Sequence, residues 1–245
     1  MTGGPLVGAA AWAFLVFAGV LLPLAALLFA ASERRRLAKT SESVVSAAPT
    51  RLALYAQTVL THAVLLAAAV VAARASGVDL FVLREIDASD VAAAAITLAA
   101  AVGVAEAYWR SRSAAEREQL WVRQIVPRTG AERRAWVVVS AGAAIAEEVA
   151  YRGAFVAFAA AATGSAAVAI LMSAVAFAAV HAPQGATGVV YVFVIALLHH
   201  ALVLFTGTLI LAIAVHFAYD VIAGLWMATK HGLTSSGREA GGSTA

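Results

Sequence analysis

Four ionisable residues interrupt apolar stretches of this chain. Glu147, Glu148 and Arg152 fall within the apolar run 135–162, and Asp220 falls within the run 209–227. A charged side chain inside a membrane-spanning helix costs about 2.5 kcal/mol or more, so such residues usually have a function. The sequence therefore predicts a polar site inside a membrane protein.

Two histidines lie in similar surroundings. His181 ends an apolar segment four residues after Phe177, and His216 precedes Asp220 by four residues. Residues four apart share one helix face. Carboxylates and imidazoles placed together can activate a water molecule for hydrolysis without a covalent nucleophile. They can also hold zinc and leave one position open for water. The chain has no His-Glu-x-x-His motif, so the sequence alone does not predict zinc, and both possibilities stay open.

The two adjacent glutamates should differ in role. Glu148 and Arg152 are four residues apart and should form an ion pair, in which Arg152 keeps Glu148 charged as a structural clamp. Glu147 is rotated by about 100° around the helix and need not share that partner. It is therefore the better candidate for a group that accepts and returns a proton.

The composition predicts an all-α, polytopic transmembrane helix bundle. The chain has 245 residues, of which 62% are hydrophobic and 13% charged, and its mean hydropathy is +0.87. Soluble domains carry about 25% charged residues. No cysteine is present, which excludes disulfides, thiolate zinc sites and a cysteine nucleophile.

The apolar runs predict about seven spans, because a helix of about 20 residues crosses the bilayer core. Gly207 should lie in a tight turn between the last two spans, and Pro183 should end the fifth. The predicted spans are residues 6–31, 52–74, 91–108, 135–160, 166–182, 188–206 and 208–228.

The basic residues predict the orientation. Fourteen of the seventeen Lys and Arg residues lie in loop 32–51, segment 109–134 or the tail after residue 228. The positive-inside bias places these regions in the cytoplasm, with the amino terminus outside, in the plasma membrane of a prokaryote. Topology explains the arginines, so no nucleic-acid partner is expected. The first run is interpreted as a retained anchor, since arginines follow it and no basic residue precedes it.

Three motifs resemble the CPBP family of CAAX-processing and bacteriocin-processing intramembrane proteases, which includes the type II CAAX prenyl endopeptidase. They are Glu147-Glu148-Val-Ala-Tyr-Arg152, Phe177-Ala-Ala-Val-His181 and His216-Phe-Ala-Tyr-Asp220, in that order. The stretch Phe205-Thr-Gly-Thr-Leu is similar to the family's Arg-Thr-Gly-Ser-Leu lead-in. The resemblance covers about residues 135–228.

The resemblance implies a role for each matching residue. Glu147 and His181 would position and activate the attacking water, while His216 and Asp220 would stabilise the oxyanion. Glu148, Arg152 and Phe177 would support them. The chain has Asp220 where the pattern has asparagine. An ionised aspartate cannot donate a hydrogen bond, so Asp220 must be protonated, or must orient His216 or a metal. Zinc bound by Glu147, His181 and His216 is the alternative to a metal-free site.

The sequence predicts three regions along the chain. Residues 1–134 should form three spans with a basic segment, 135–228 the catalytic core, and 229–245 a disordered cytoplasmic tail. Segment 109–134 fits either an interfacial amphipathic helix or an ordinary loop. His62 and the pair His199-His200 match no motif and are interpreted as packing or hydrogen-bonded residues.

The predicted function is an intramembrane endopeptidase acting on membrane-associated substrates. The alternatives are a noncatalytic partner-binding or immunity protein and a transporter or proton relay.

Overall fold

The computed structural model describes residues 7–39, 50–113 and 125–230. These residues form helices and connecting turns without strands, which confirms the all-α fold. The helices are α1 (Ala9–Val16, a π-helical turn at Phe17–Leu21, and Leu22–Lys39), α2 (Arg51–Ala75), α3 (Ala88–Arg110), α4 (Gly130–Glu147, a π-helical stretch at Glu148–Phe155, and Val156–Thr163), α5 (Ala166–Val180), α6 (Ala186–Thr206) and α7 (Leu209–Ile222, a π-helical turn at Ala223–Met227, and Ala228–Lys230).

Several helices are long and apolar enough to cross a membrane, so the chain is an integral membrane protein. Among the described residues five helical stretches qualify: Ala9–Arg35, Arg51–Ala75, Ala88–Arg110, Ala186–Thr206 and Leu209–Trp226. The shorter α5 has 15 residues and is also apolar. The count of seven spans therefore stays a prediction.

The helix ends follow local sequence signals. Gly207 has φ of +66° and ends α6, as predicted. Helix α5 stops at Val180, and Pro183 occupies the short 3₁₀ turn that follows. Hydrogen bonds from the Ser89 hydroxyl and from backbone N–H groups hold the pKa of the Asp87 carboxyl below its usual range, and this carboxylate caps α3.

Two helices extend furthest beyond their predicted limits. Helix α4 begins at Gly130 rather than residue 135, because Thr129 and Glu132 form a capping box that the Thr-x-x-Glu spacing could have indicated. Helix α1 continues to Lys39 into the predicted loop 32–51, through residues that favour helix. Residues 114–124 of the basic segment lie outside the described residues, as does the predicted tail beyond Lys230.

Helix α4 lies at the centre of the arrangement that positions the polar residues. It packs against α2, α5 and α7, while α3 packs against α6 and α7, and α1 packs against α2 and α5. Alanines that are completely buried, such as Ala150, Ala154 and Ala174, allow these helices to approach closely. The polar residues of α4 therefore face side chains from several helices.

Candidate active site

A cavity of about 220 Å³ opens among helices α3 to α7. Its wall includes six of the seven residues singled out in the three sequence motifs: Glu147, Arg152, Phe177, His181, His216 and Asp220. Aromatic side chains from α3, α4, α6 and α7 form much of the remaining wall: Tyr108, Trp109, Trp136, Tyr191 and Tyr219. The three motifs, distant in sequence, thus meet around one space.

Glu148 lies behind this cavity wall and is completely buried. Its Oε1 atom lies 2.7 Å from Nδ1 of His216 and 3.0 Å from Nδ1 of His199. Its Oε2 atom lies 3.4 Å from Nε of Arg152, so the predicted ion pair is present. A buried carboxylate is stabilised only when such partners surround it. Glu148 therefore connects α4 to α6 and α7 and fixes the ring of His216.

Glu147 has different partners from Glu148. Its Oε1 atom lies 2.8 Å from Nε2 of His62 on α2. Its Oε2 atom lies 3.6 Å from Nε2 of His216. The second distance is too long for a direct hydrogen bond, and one water molecule can bridge such a gap. One carboxylate oxygen of Glu147 is therefore held, and the other faces the cavity.

His181 is oriented by the end of α5. Since the helix stops at Val180, the Phe177 carbonyl is free to accept a hydrogen bond of 2.8 Å from the Nδ1–H group of His181. This contact leaves Nε2 of the ring with a lone pair. The Phe177 ring centre lies 4.8 Å from that of His181 and 4.3 Å from the Arg152 guanidinium. Phe177 therefore links the buried ion pair to His181.

His216 and Asp220 share one face of α7, as their spacing predicts. Nε2 of His216 lies 3.7 Å from Oδ2 of Asp220. The Trp136 indole donates a hydrogen bond of 3.0 Å to the Asp220 carbonyl. A Cβ atom at position 224 would lie 2.2 Å from Nε1 of Trp136, so Gly224 is what allows the indole to reach α7 there.

The two glutamates lie at the junction of α-helical and π-helical backbone in α4. The regular helix ends at Glu147, and the wider turn runs over Glu148–Phe155. Such turns insert an extra residue and are frequent at functional sites. Here the junction directs the two adjacent carboxylates to different partner sets.

The pair Glu147 and His216 fits a zinc ion better than the group Glu148, His199 and His216. Donor atoms around tetrahedral zinc are separated by about 3.3 Å. The contacts of Glu148 with His199 and His216, at 3.0 and 2.7 Å, are shorter and match hydrogen bonds, although these three residues form a compact buried group. The guanidinium beside Glu148 also opposes a second cation. The predicted ligands Glu147 and His216, 3.6 Å apart, allow either water or zinc between them.

Two histidines have a larger role than the sequence motifs indicate. The sequence predicts that His62 and His199 are packing or hydrogen-bonded residues, and both are hydrogen-bonded, but their partners are the two motif glutamates. A histidine inside an apolar helix usually has a polar partner. The sequence could therefore have predicted that each histidine has a polar partner, but not which residue that partner is.

A second cavity of about 130 Å³ lies on another side of Arg152. It adjoins the segment after α2 and the turn between α6 and α7, far along the helices from Trp109 and Gln184 of the first cavity. Its lining includes Val78, Asp79, Leu80, Gly153, Gly207 and Thr208. Arg152 is the residue that lines both cavities.

A bundle of apolar helices around a cavity with carboxylates and imidazoles defines a polytopic membrane protein with an internal polar site. Residues 131–222 match the family model of type II CAAX prenyl endopeptidase Rce1-like proteins. The match includes all three motifs, confirms the resemblance to the CPBP family and supports a protease. Comparisons with curated proteins and with solved structures gave no match.

Proposed function

We propose that the protein is an intramembrane endopeptidase that hydrolyses peptide bonds of membrane-associated substrates with a water activated by Glu147 and His181. The observation that carries this proposal is the free Oε2 atom of Glu147, which faces the cavity 3.6 Å from His216. A carboxylate next to a space for one water is the arrangement that general base catalysis requires. The family match supports peptide hydrolysis as the reaction.

The proposed reaction assigns one task to each group. Glu147 takes a proton from the water as its oxygen attacks the substrate carbonyl, and Nε2 of His181 helps to orient that water. His216, held by Glu148, faces the developing oxyanion with Asp220. The proton then passes from Glu147 to the leaving amine. The hydrogen bond between Glu148 and His216 keeps the imidazole in place during these steps.

Zinc is the alternative that the cavity residues leave open. Glu147, His181 and His216 would hold it, and when bound it would lower the pKa of a coordinated water and polarise the substrate carbonyl. The protein would then be a metallo-endopeptidase. Elemental analysis of the purified protein distinguishes the two forms, with Glu147→Ala as the matched sample that lacks one ligand.

The substrate and the membrane location can be proposed as well. The family description names a CAAX prenyl endopeptidase, so we propose a prenylated CAAX sequence as the substrate class. We infer a substrate of peptide or protein type that reaches the cavity at the membrane, and no nucleic-acid partner. We also propose that the protein lies in a prokaryotic plasma membrane with its amino terminus outside. Residues 135–228 would form the catalytic core, and residues 1–134 would form a three-span region before it.

Peptide hydrolysis by the purified protein tests this function. A defined peptide mixture and a farnesylated CAAX peptide, incubated separately with the protein in detergent, are analysed by mass spectrometry. New cleavage products should appear, at least from the CAAX peptide. The double variant Glu147→Gln, His181→Ala should give none. Absence of cleavage by the wild-type protein, or cellular function retained by the double variant, would instead favour a noncatalytic binding or immunity protein.

Asp220 provides a separate prediction, because the family pattern has asparagine there. Asn can donate a hydrogen bond to an oxyanion at any pH, whereas Asp can do so only when protonated. Asp220→Asn should therefore keep kcat within about threefold of wild type at mildly acidic pH and sustain it at higher pH, while Asp220→Ala should lower kcat by about 10²-fold. The pH dependence of kcat for the three proteins is the measurement. Equal kcat for the Ala and Asn variants would contradict a donor role.

A further inference from the structure

The imidazole of His62 lies on α2, outside the segment 131–222 that matches the protease family. It nevertheless contacts Glu147 directly, with 2.8 Å between Nε2 and Oε1. The other ring nitrogen, Nδ1, lies 2.8 Å from the Thr58 carbonyl one turn earlier and must donate to it. Both nitrogens of His62 thus act as N–H donors, as in an imidazolium, and these two contacts fix the orientation of the ring.

The register of α2 against α4 holds His62 at this position. Tyr55 lies two turns before His62 on the same face, and its ring packs edge-to-face against Trp136 of α4 at 5.8 Å. The Tyr55 hydroxyl donates a hydrogen bond to the Ile125 carbonyl. Further along the same helix, Leu65 and Ala69 are buried in the core. These contacts prevent α2 from sliding or rotating, so the His62–Glu147 contact is a fixed feature of the site.

Because of the His62–Glu147 contact, the two carboxylate oxygens of Glu147 have different surroundings. Oε1 is taken by His62, while Oε2 faces His216 and the cavity. A carboxylate without the first contact would rotate about its terminal torsion, which is broad. A general base works only when its oxygen is within reach of the water. The hydrogen bond from His62 to Oε1 therefore keeps Oε2 directed towards the water.

The geometry points to His62 as a positioning residue for Glu147, through a hydrogen bond that aims the free carboxylate oxygen at the attacking water. The inference rests on the proposed function and adds a residue from the region of the chain that the family match does not cover. His62 does not line the cavity among the described residues, so it acts through Glu147 rather than on the substrate. The amino-terminal helices thereby contribute to the catalytic machinery.

Two substitutions at position 62 separate hydrogen bonding from packing. Phe keeps an aromatic ring, somewhat larger than imidazole, and removes both nitrogens, whereas Gln places an amide N–H close to the position of Nε2. With the farnesylated CAAX peptide, His62→Phe should lower kcat by about 10- to 100-fold with KM changed by less than about threefold. His62→Gln should recover kcat to within about threefold of wild type.

His200→Phe is the matched control. His200 likewise lies in an apolar helix, where it is buried while His62 is partly buried, and its Nε2 atom has no hydrogen-bond partner among the residues that the structure describes. This variant should cleave at nearly the wild-type rate. Wild-type kcat for His62→Phe would overturn the inference, as would equal impairment of the Phe and Gln variants with unchanged thermal stability. If Glu147→Gln were as active as wild type, the proposed function would fail instead.

An infrared measurement tests the contact without turnover. The carboxyl band of Glu147, assigned by its loss in Glu147→Gln, should shift in His62→Phe and stay near its original position in His62→Gln. A band unchanged in His62→Phe would overturn the inference even if the wild-type protein cleaved no peptide.

Discussion

Glu147→Gln should lower kcat by about 10²- to 10⁴-fold while leaving KM nearly unchanged. Glutamine has the size of glutamate, and its carbonyl oxygen can still accept the hydrogen bond from His62, so the packing of α4 is kept. The amide has no basic oxygen that could take a proton from water. The loss should therefore fall on the chemical step. Initial rates on the farnesylated CAAX peptide over a range of concentrations provide both constants.

The matched control is Glu132→Gln on the same helix. Glu132 accepts hydrogen bonds from the Arg128 and Thr129 backbone, and glutamine can take this place in a capping box. The control should keep the wild-type rate. Undiminished cleavage by Glu147→Gln would reject Glu147 as the base and shift attention to Glu148.

Glu148→Gln should reduce stability more than Glu147→Gln or any of the substitutions at His62, His200 and Asp220. Glu148 faces Arg152, His199 and His216, and its loss leaves the Arg152 charge buried without a counter-ion. Removing one partner of a buried ion pair costs about 3–5 kcal/mol. We expect a lower melting temperature in detergent and a reduced folded fraction by size-exclusion chromatography.

The double variant Glu148→Gln, Arg152→Met distinguishes charge from packing. It removes both charges and keeps side chains of similar volume, so it should recover most of the lost thermal stability. It should not recover activity, because His216 no longer has a carboxylate to hold its ring. A double variant as unstable as Glu148→Gln would show that the shape of the pair, rather than its charge balance, stabilises the helices.

Much of the fold follows from the sequence because membrane helices satisfy their backbone groups internally. Long apolar runs therefore predict helices, and Gly207 and Pro183 predict ends that the structure shows. The Glu148–Arg152 pair was also predictable, since both residues lie on one helix one turn apart. What these predictions share is that they depend on contacts between near neighbours in the chain.

Contacts between distant helices could not be predicted in this way. Nothing in the spacing of His62 or His199 indicates that one meets Glu147 and the other Glu148. The π-helical stretch of α4 also changes the rotation of the residues after Glu147, and no simple periodicity anticipates it. Packing of α2 and α6 against α4 determines both partners, and packing is a property of the whole bundle.

The position of Arg152 bears on the permeability of the membrane to cations. A hydrolase embedded in a bilayer must admit water without becoming a leak for protons or cations. Arg152 lines both the larger cavity and the smaller one near the opposite helix ends, and it is almost fully buried. A fixed positive charge at a narrow partition repels hydronium and metal ions, as arginine does in water-conducting pores. We therefore expect Arg152, which neutralises Glu148, also to oppose the passage of cations between the two cavities.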